Sequence, residues 1–382
     1  MRWSRRSHST TGLICAILSI PFAVGAPGAD AQVLDLDTTR LEASYNTGKT
    51  IVRDPGLDAY LAGIVARLIA ANADAGAIPI RIHALREPLP YAFGLDNGAV
   101  YISTGLLARL RNDSQLAGLI AAEISSTIRH DSQNGDESSR QRAARRAIPN
   151  IFLVAVTAGL AAIPLSKGDA EARRTIEEQL QLDSDRVALQ WLRAADYQTG
   201  EVPRGLQRLL DALTAEKRFG LTVLASPSGL AGRMASFKQA MPPEATAAAA
   251  EPAAAAEALA PFARRFTLEI VRDDMHGAQT ASGVALLDRL DSEEGATGET
   301  ACLRAEIKRL SMTDLARLPE VITTYEACTA FADAPADAIR ELGFLYRRQG
   351  DKAAARLNFA RYLERAPGAA DAPIVRAYLE EP

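Results

Sequence analysis

Apolar positions along the chain recur with two periods. Leu57, Leu61, Ile64, Val65, Leu68 and Ile69 fall three and four apart after Pro55, which predicts an amphipathic helix over about 55–72. Ile78, Ile80, Ile82 and Ala84 then alternate with Pro79, Arg81 and His83, the pattern of a half-buried strand with proline at its start or edge. Tyr91, Ala92, Phe93, Gly94 and Leu95, then Asp96-Asn97-Gly98, then Ala99 to Ser103 read as strand, turn and strand, because Asn-Gly suits a tight hairpin turn. A short helix is predicted over Thr104–Leu110. Asn112, Asp113 and Ser114 offer caps for a second helix reaching about His130, with Leu116, Leu119, Ile120, Ile124 and Ile128 on its apolar face.

Beyond that point the pattern changes. Residues 131–146 are polar and charged, a loop and helix start. Ile151–Leu165 is strongly apolar but only about 15 residues long, short for a membrane span. Burial as a core helix is the first reading and contact with a membrane surface the second. Helices are predicted over 171–195 and 203–216. From 241 to 262 the chain is Pro242-Pro243 and alanine runs broken by Glu and Pro252, a linker composition. Everything after it is patterned as helix.

Composition narrows the class. Of the 382 residues 48% are hydrophobic and 24% charged, the profile of a folded protein. The net charge of −4 argues against a nucleic-acid partner, which would call for a basic stripe. The N-terminus carries Arg2, Arg5 and Arg6, an apolar run from Thr11 to Val24, and small residues at Ala29 and Ala31. This is the pattern of a secretory signal peptide, residues 1–31, cleaved after Ala31. The expected compartment is the periplasm, which is oxidising. Only Cys302 and Cys328 then remain, a natural disulfide pair closing a loop of about 26 residues; two buried thiols are the other reading.

Three ordered blocks carry a family resemblance over roughly residues 40–240. The run YAFGLDNGAVYISTGLLARLRNDSQLAGLIAAEISSTIRH, Tyr91 to His130, resembles the core of the HtpX/BepA-like zinc metallopeptidases of family 48. There a strand near N-A-F-A-L-P-G-G precedes a helix with A-H-E-x-x-H. The run QLDSDRVALQWLRAADYQTGEVPRGLQRLL is similar to the family's E-x-E-A-D-R helix, and Ser226-Pro227 to Arg233 is similar to its T-H-P-x-x-x-x-R segment. The resemblance implies an α+β, zincin-like, mostly helical domain with a small β-sheet over 32–240.

It also implies where the chemistry would sit. Two histidines four apart reach one zinc from a single helix face, and the glutamate after the first activates the bound water. In this chain those positions hold Ala122, Ser126 and a retained Glu123, and the third-ligand position, four before Asp185, holds Gln181. After the signal segment the only histidines are His83, His130 and His276, so no HExxH can be drawn in any register. A methyl, a hydroxyl and an amide make a poor zinc site. The expectation is therefore no bound metal and no cofactor, with Glu123 left in a disused cleft. A scattered site from His83, His130 and Asp183 with Glu123 is the fallback for zinc. Nucleophile elbows, phosphate loops and CxxC pairs are absent from the sequence.

Residues 338–367 fit the 34-residue tetratricopeptide pattern at Leu342, Gly343, Tyr346, Gly350, Ala355, Phe359 and Pro367. One such pair cannot bury its own face, so neighbours are expected within an all-α TPR-like helical-repeat domain over 263–382. The reading that follows is a non-catalytic periplasmic relative of the metallopeptidases. It would bind protein or extended-peptide clients, envelope or outer-membrane proteins, through the edge strand Tyr91–Leu95 and the repeats. The alternatives are an active zinc metalloendopeptidase with substituted ligands, and a scaffold in which only the repeats bind.

Overall fold

The computed structural model describes residues 42–43, 51–76, 78–95, 97–133, 182–219, 227–241, 258–276 and 279–380. The signal segment 1–31, the polar loop from 134, the apolar stretch 151–165, Gln181, Ser226 and most of the linker, 242–257, lie outside the described residues. Among those described no helix is long and apolar enough to cross a membrane.

Asp54 starts helix α1 (Pro55–Ala71): its carboxylate accepts from the backbone N–H of Gly56 and Leu57, and Pro55 at the first turn needs no donor. Leu57, Leu61, Ile64, Val65 and Leu68 form its buried stripe. Strands β1 (Arg81–Leu85), β2 (Ala92–Gly94) and β3 (Ala99–Ser103) make one sheet in the order β1-β3-β2. The hairpin pairs β2 antiparallel to β3, and β1 runs parallel to β3 with His83 opposite Tyr101. β1 begins at Arg81, later than the apolar alternation suggests, because Arg81 supplies the first N–H of the ladder, to Gly98 O at 2.9 Å. Gly98 has φ +86°, and a side chain there would collide with Pro79 O.

Helix α2 (Thr104–Leu107) is shorter than expected. Its closing carbonyls are taken by arginine side chains from distant segments: Arg208 Nε donates to Arg109 O and Arg289 Nη2 to Ala108 O. Then come α3 (Asp113–Gln133), α4 (182–194), α5 (Glu201–Glu216) and α6 (Pro227–Ala240). The chain continues as α7 (Ala260–Met275), α8 (Thr280–Glu294), α9 (Gly298–Leu310), α10 (Leu318–Thr329), α11 (Ala336–Gln349), α12 (Lys352–Arg365) and α13 (Ala372–Glu380).

The linker expected up to 262 is shorter at its far end. Leu259 is fully buried and α7 begins at Ala260. Phe266, Val271, Leu286 and Leu287 join the same core cluster as Leu61, Ile120 and Leu206, so α7 and α8 complete the first hydrophobic core. A second core lies under α9, α10 and α11, where Cys302 and Cys328 are joined in a disulfide with Cα atoms 5.0 Å apart. α11 and α12 pack closely because Gly343 faces the Phe359 ring, which would lie 2.6 Å from a Cβ there. Leu342, Ala355 and Phe359 are buried, Tyr346 is half-buried, Gly350 ends α11 at φ +93°, and Pro367 follows the end of α12.

Candidate active-site cleft

Helix α3 lies against the core face of the sheet. A Cβ at Gly94 would sit 2.0 Å from Thr127 Oγ1 and 3.2 Å from Glu123 O, so only glycine lets β2 approach the helix this closely. Thr127 in turn donates to Glu123 O at 2.9 Å. Ala92 and Gly94 occupy this face, whereas Phe93, Tyr101 and His83 stack across the other, with ring centroids 5.1 and 5.5 Å apart. Glu42 closes the rim of that outer face by accepting from Arg81 and Asn97.

β2 lies at an edge of the sheet. Tyr91 O and Leu95 N are bonded to β3, so by the antiparallel alternation the N–H and C=O groups of Ala92 and Gly94 point away from the ladder. Among the described residues no strand covers that edge. The segment Tyr91–Leu95 contains this edge strand, and Ala92 and Gly94 carry its outward backbone groups.

Ala122 is fully buried in α3, Glu123 beside it is half-buried, and Ser126 is half-buried one turn further on. The charge facing them is an ion pair between helices. Arg233 of α6 grips Asp185 of α4 with both ends of its fork, Nη2–Oδ1 at 2.6 Å and Nε–Oδ2 at 3.3 Å. Both side chains are closed off from solvent, at 3% and 1% exposure. Burial pushes the Glu123 carboxyl up to about 7; Arg233 opposes the shift and Asp185 adds to it. Burial works against the charge of Arg233, yet Asp185 and then Glu123 outweigh it and hold its pKa above the ordinary value.

A zinc ion does not fit this donor set. The Ala122 methyl has no lone pair, both Asp185 oxygens are engaged by Arg233, and what remains there among the described residues is one carboxyl and one hydroxyl. His83 and Asp183 of the scattered alternative are not brought together with Glu123 either. His83 lies on the sheet face opposite α3, where burial lowers its pKa and the Glu42 charge partly restores it. Asp183 is paired on the surface with Arg186. His130 lies in the last turns of α3, and His276 ends α7 with Nδ1 on Arg272 O. No group of three His, Cys, Asp or Glu among the described residues is arranged to hold a metal. The motif blocks named Asp185 and Arg233 separately; nothing in the sequence marks them as partners.

Residues 55–202 match the profile of peptidase family M48. The chain is 27% identical over 167 residues to the putative beta-barrel assembly-enhancing protease of Vibrio cholerae, covering 42% of this chain and 34% of that protein. It is 26% identical over 190 residues to the beta-barrel assembly-enhancing protease of Escherichia coli, covering 48% and 38%. The chain thus spans little more than a third of the length of the curated relatives it matches.

Proposed function

We propose that this chain is a non-catalytic member of peptidase family M48 that binds extended segments of client proteins at the open edge of β2. The observation that carries the reading is the donor set: a buried methyl at Ala122 and an Asp185 committed to Arg233 flank the one retained carboxyl, Glu123. The names of the relatives point to β-barrel proteins as the clients, in outer-membrane assembly or quality control. The signal-peptide pattern at 1–31 supports a periplasmic location for this role. Client backbone would add to the sheet through the outward groups of Ala92 and Gly94, which requires no metal. The tetratricopeptide-like pair α11–α12 and its neighbours would give a second contact, and two weak sites on one chain bind with avidity.

The test is capture of an unfolded β-barrel protein by the purified full chain. Ala92→Pro deletes one outward N–H and leaves the β2–β3 ladder whole. Capture weakened about 3- to 10-fold, the worth of roughly one hydrogen bond, is expected. Unchanged capture would favour the scaffold reading, in which the C-terminal helices do all the binding. The active-peptidase reading has one observation in its favour: a carboxyl near 7 is poised as a general base. It requires bound metal and proteolysis that Glu123→Gln abolishes.

A further inference from the structure

Positive charge gathers at one place in the last helices, although the chain as a whole is acidic. Arg347 and Arg348 lie in the last turn of α11, and Lys352 and Arg356 in the first two turns of α12. Gly350, at φ +93°, turns the chain tightly between the two helices. All four side chains therefore line one cleft, of about 530 Å³, which Tyr378 of α13 bounds on the other side. Its apolar part is aromatic. The rings of Phe344, Phe359 and Tyr378 have centroids 5.0 to 5.6 Å apart, and the Arg347 guanidinium lies over the Tyr378 ring, 4.4 Å from its centroid. Among the described residues no carboxylate lines the cleft. Asp351, between the two pairs of cations, accepts from Ala354 N–H at 2.9 Å and caps α12, and Glu380 is exposed at the end of α13.

Helix stability accounts for only half of this charge. Arg347 and Arg348 complement the negative end of α11, whereas Lys352 and Arg356 stand at the positive end of α12, where cations are disfavoured. Like charges round a concavity with apolar walls focus the potential inside it. We propose that this cleft binds an acidic segment of a partner protein, with one apolar side chain seated against Phe344 and Tyr378 and carboxylates on either side of it meeting the cations. Phe344 and Tyr378 are half-buried and so offer ring surface to such a side chain. A concave cleft of this size closes round a short stretch of chain and does not match a flat bilayer. The net charge of −4 opposes a long polyanion such as a nucleic acid. The inference rests on the reading that the C-terminal helices make a second contact, and it says what that contact takes.

The experiment is calorimetric titration of the full chain with acetyl-Glu-Asp-Phe-Asp-Glu-amide, its counterpart Gln-Asn-Phe-Asn-Gln, its counterpart Glu-Asp-Ala-Asp-Glu, and phosphatidylglycerol vesicles as competitor. The acidic peptide is expected to bind saturably. The neutral counterpart should bind about tenfold or more weaker, and the alanine counterpart about 3- to 10-fold weaker. Raising the salt from about 0.05 M to about 0.5 M should weaken only the acidic peptides. Lys352→Glu combined with Arg356→Glu reverses two exposed charges at a helix end that favours acids, and should weaken the acidic peptide about tenfold or more. The peptide and salt series are read on the unaltered chain, so they decide the matter even where the variant misfolds. Ala92→Pro should leave peptide affinity unchanged. A chain that captures clients at β2 but binds no acidic peptide overturns this inference and leaves the edge reading standing. Equal binding of acidic and neutral peptides, affinity that survives the charge reversal, affinity lost in Ala92→Pro, or displacement of the peptide by the vesicles would overturn it as well.

Discussion

Glu123 ionises against burial and against the charge of Asp185, so its carboxyl titrates near 7 in the folded chain and near its ordinary 4.5 when unfolded. Between those values the native state holds more protons than the unfolded one. Stability therefore falls as pH rises through the window and is lowest, on this account, above 7; the full effect is up to about 3 kcal/mol. Glu123→Gln removes the group. The substitution should raise stability at pH 8 by about 1–3 kcal/mol and do little at pH 4.5, as read by urea unfolding at the two pH values. A loss of stability at pH 8 would mean the carboxylate is better solvated than its surroundings suggest. At this scale the sequence was only half legible. Spacing marked Ala122, Glu123, Ser126 and Asp185 by position in motifs, but ion pairs between residues 48, 107 or 56 apart, as in Asp185–Arg233, Arg109–Glu216 and Arg218–Asp274, leave no periodic trace. Their formation depends on which helices come to lie side by side.

Elements whose apolar face is local could be read from the chain. The α1 stripe, the Asn-Gly hairpin and the long α3 follow from period and turn chemistry, and the structure has all three. What escaped were features decided by partners: the parallel pairing of β1 to β3 and the early end of α2 under arginine caps. The contact of β2 with α3 belongs to the same class, and Gly94 decides it. Gly94→Ala should push the strand off the helix and cost about 1–3 kcal/mol, seen as a lower melting temperature with unchanged helix content. An unchanged melting temperature would mean Thr127 yields freely. In the C-terminal helices the disulfide ties α9 to α10 across 26 residues. Replacing Cys302 and Cys328 together by serine should cost about 3–4 kcal/mol in oxidised protein, with no difference between variant and wild type once the latter is reduced.

Over the whole molecule, α7 and α8 pack into the core that α1, α3 and α5 build, and the later helices form cores of their own. The central claim is that the peptidase-like cleft has kept its frame and lost its metal. Its most direct test is the zinc content of the full chain, purified without chelator or histidine tag and measured by plasma mass spectrometry. The account predicts fewer than about 0.1 equivalents after buffer exchange, because a structural or catalytic zinc site of this kind binds tightly enough to survive it. Close to one equivalent would contradict it and return Glu123 to the role of general base.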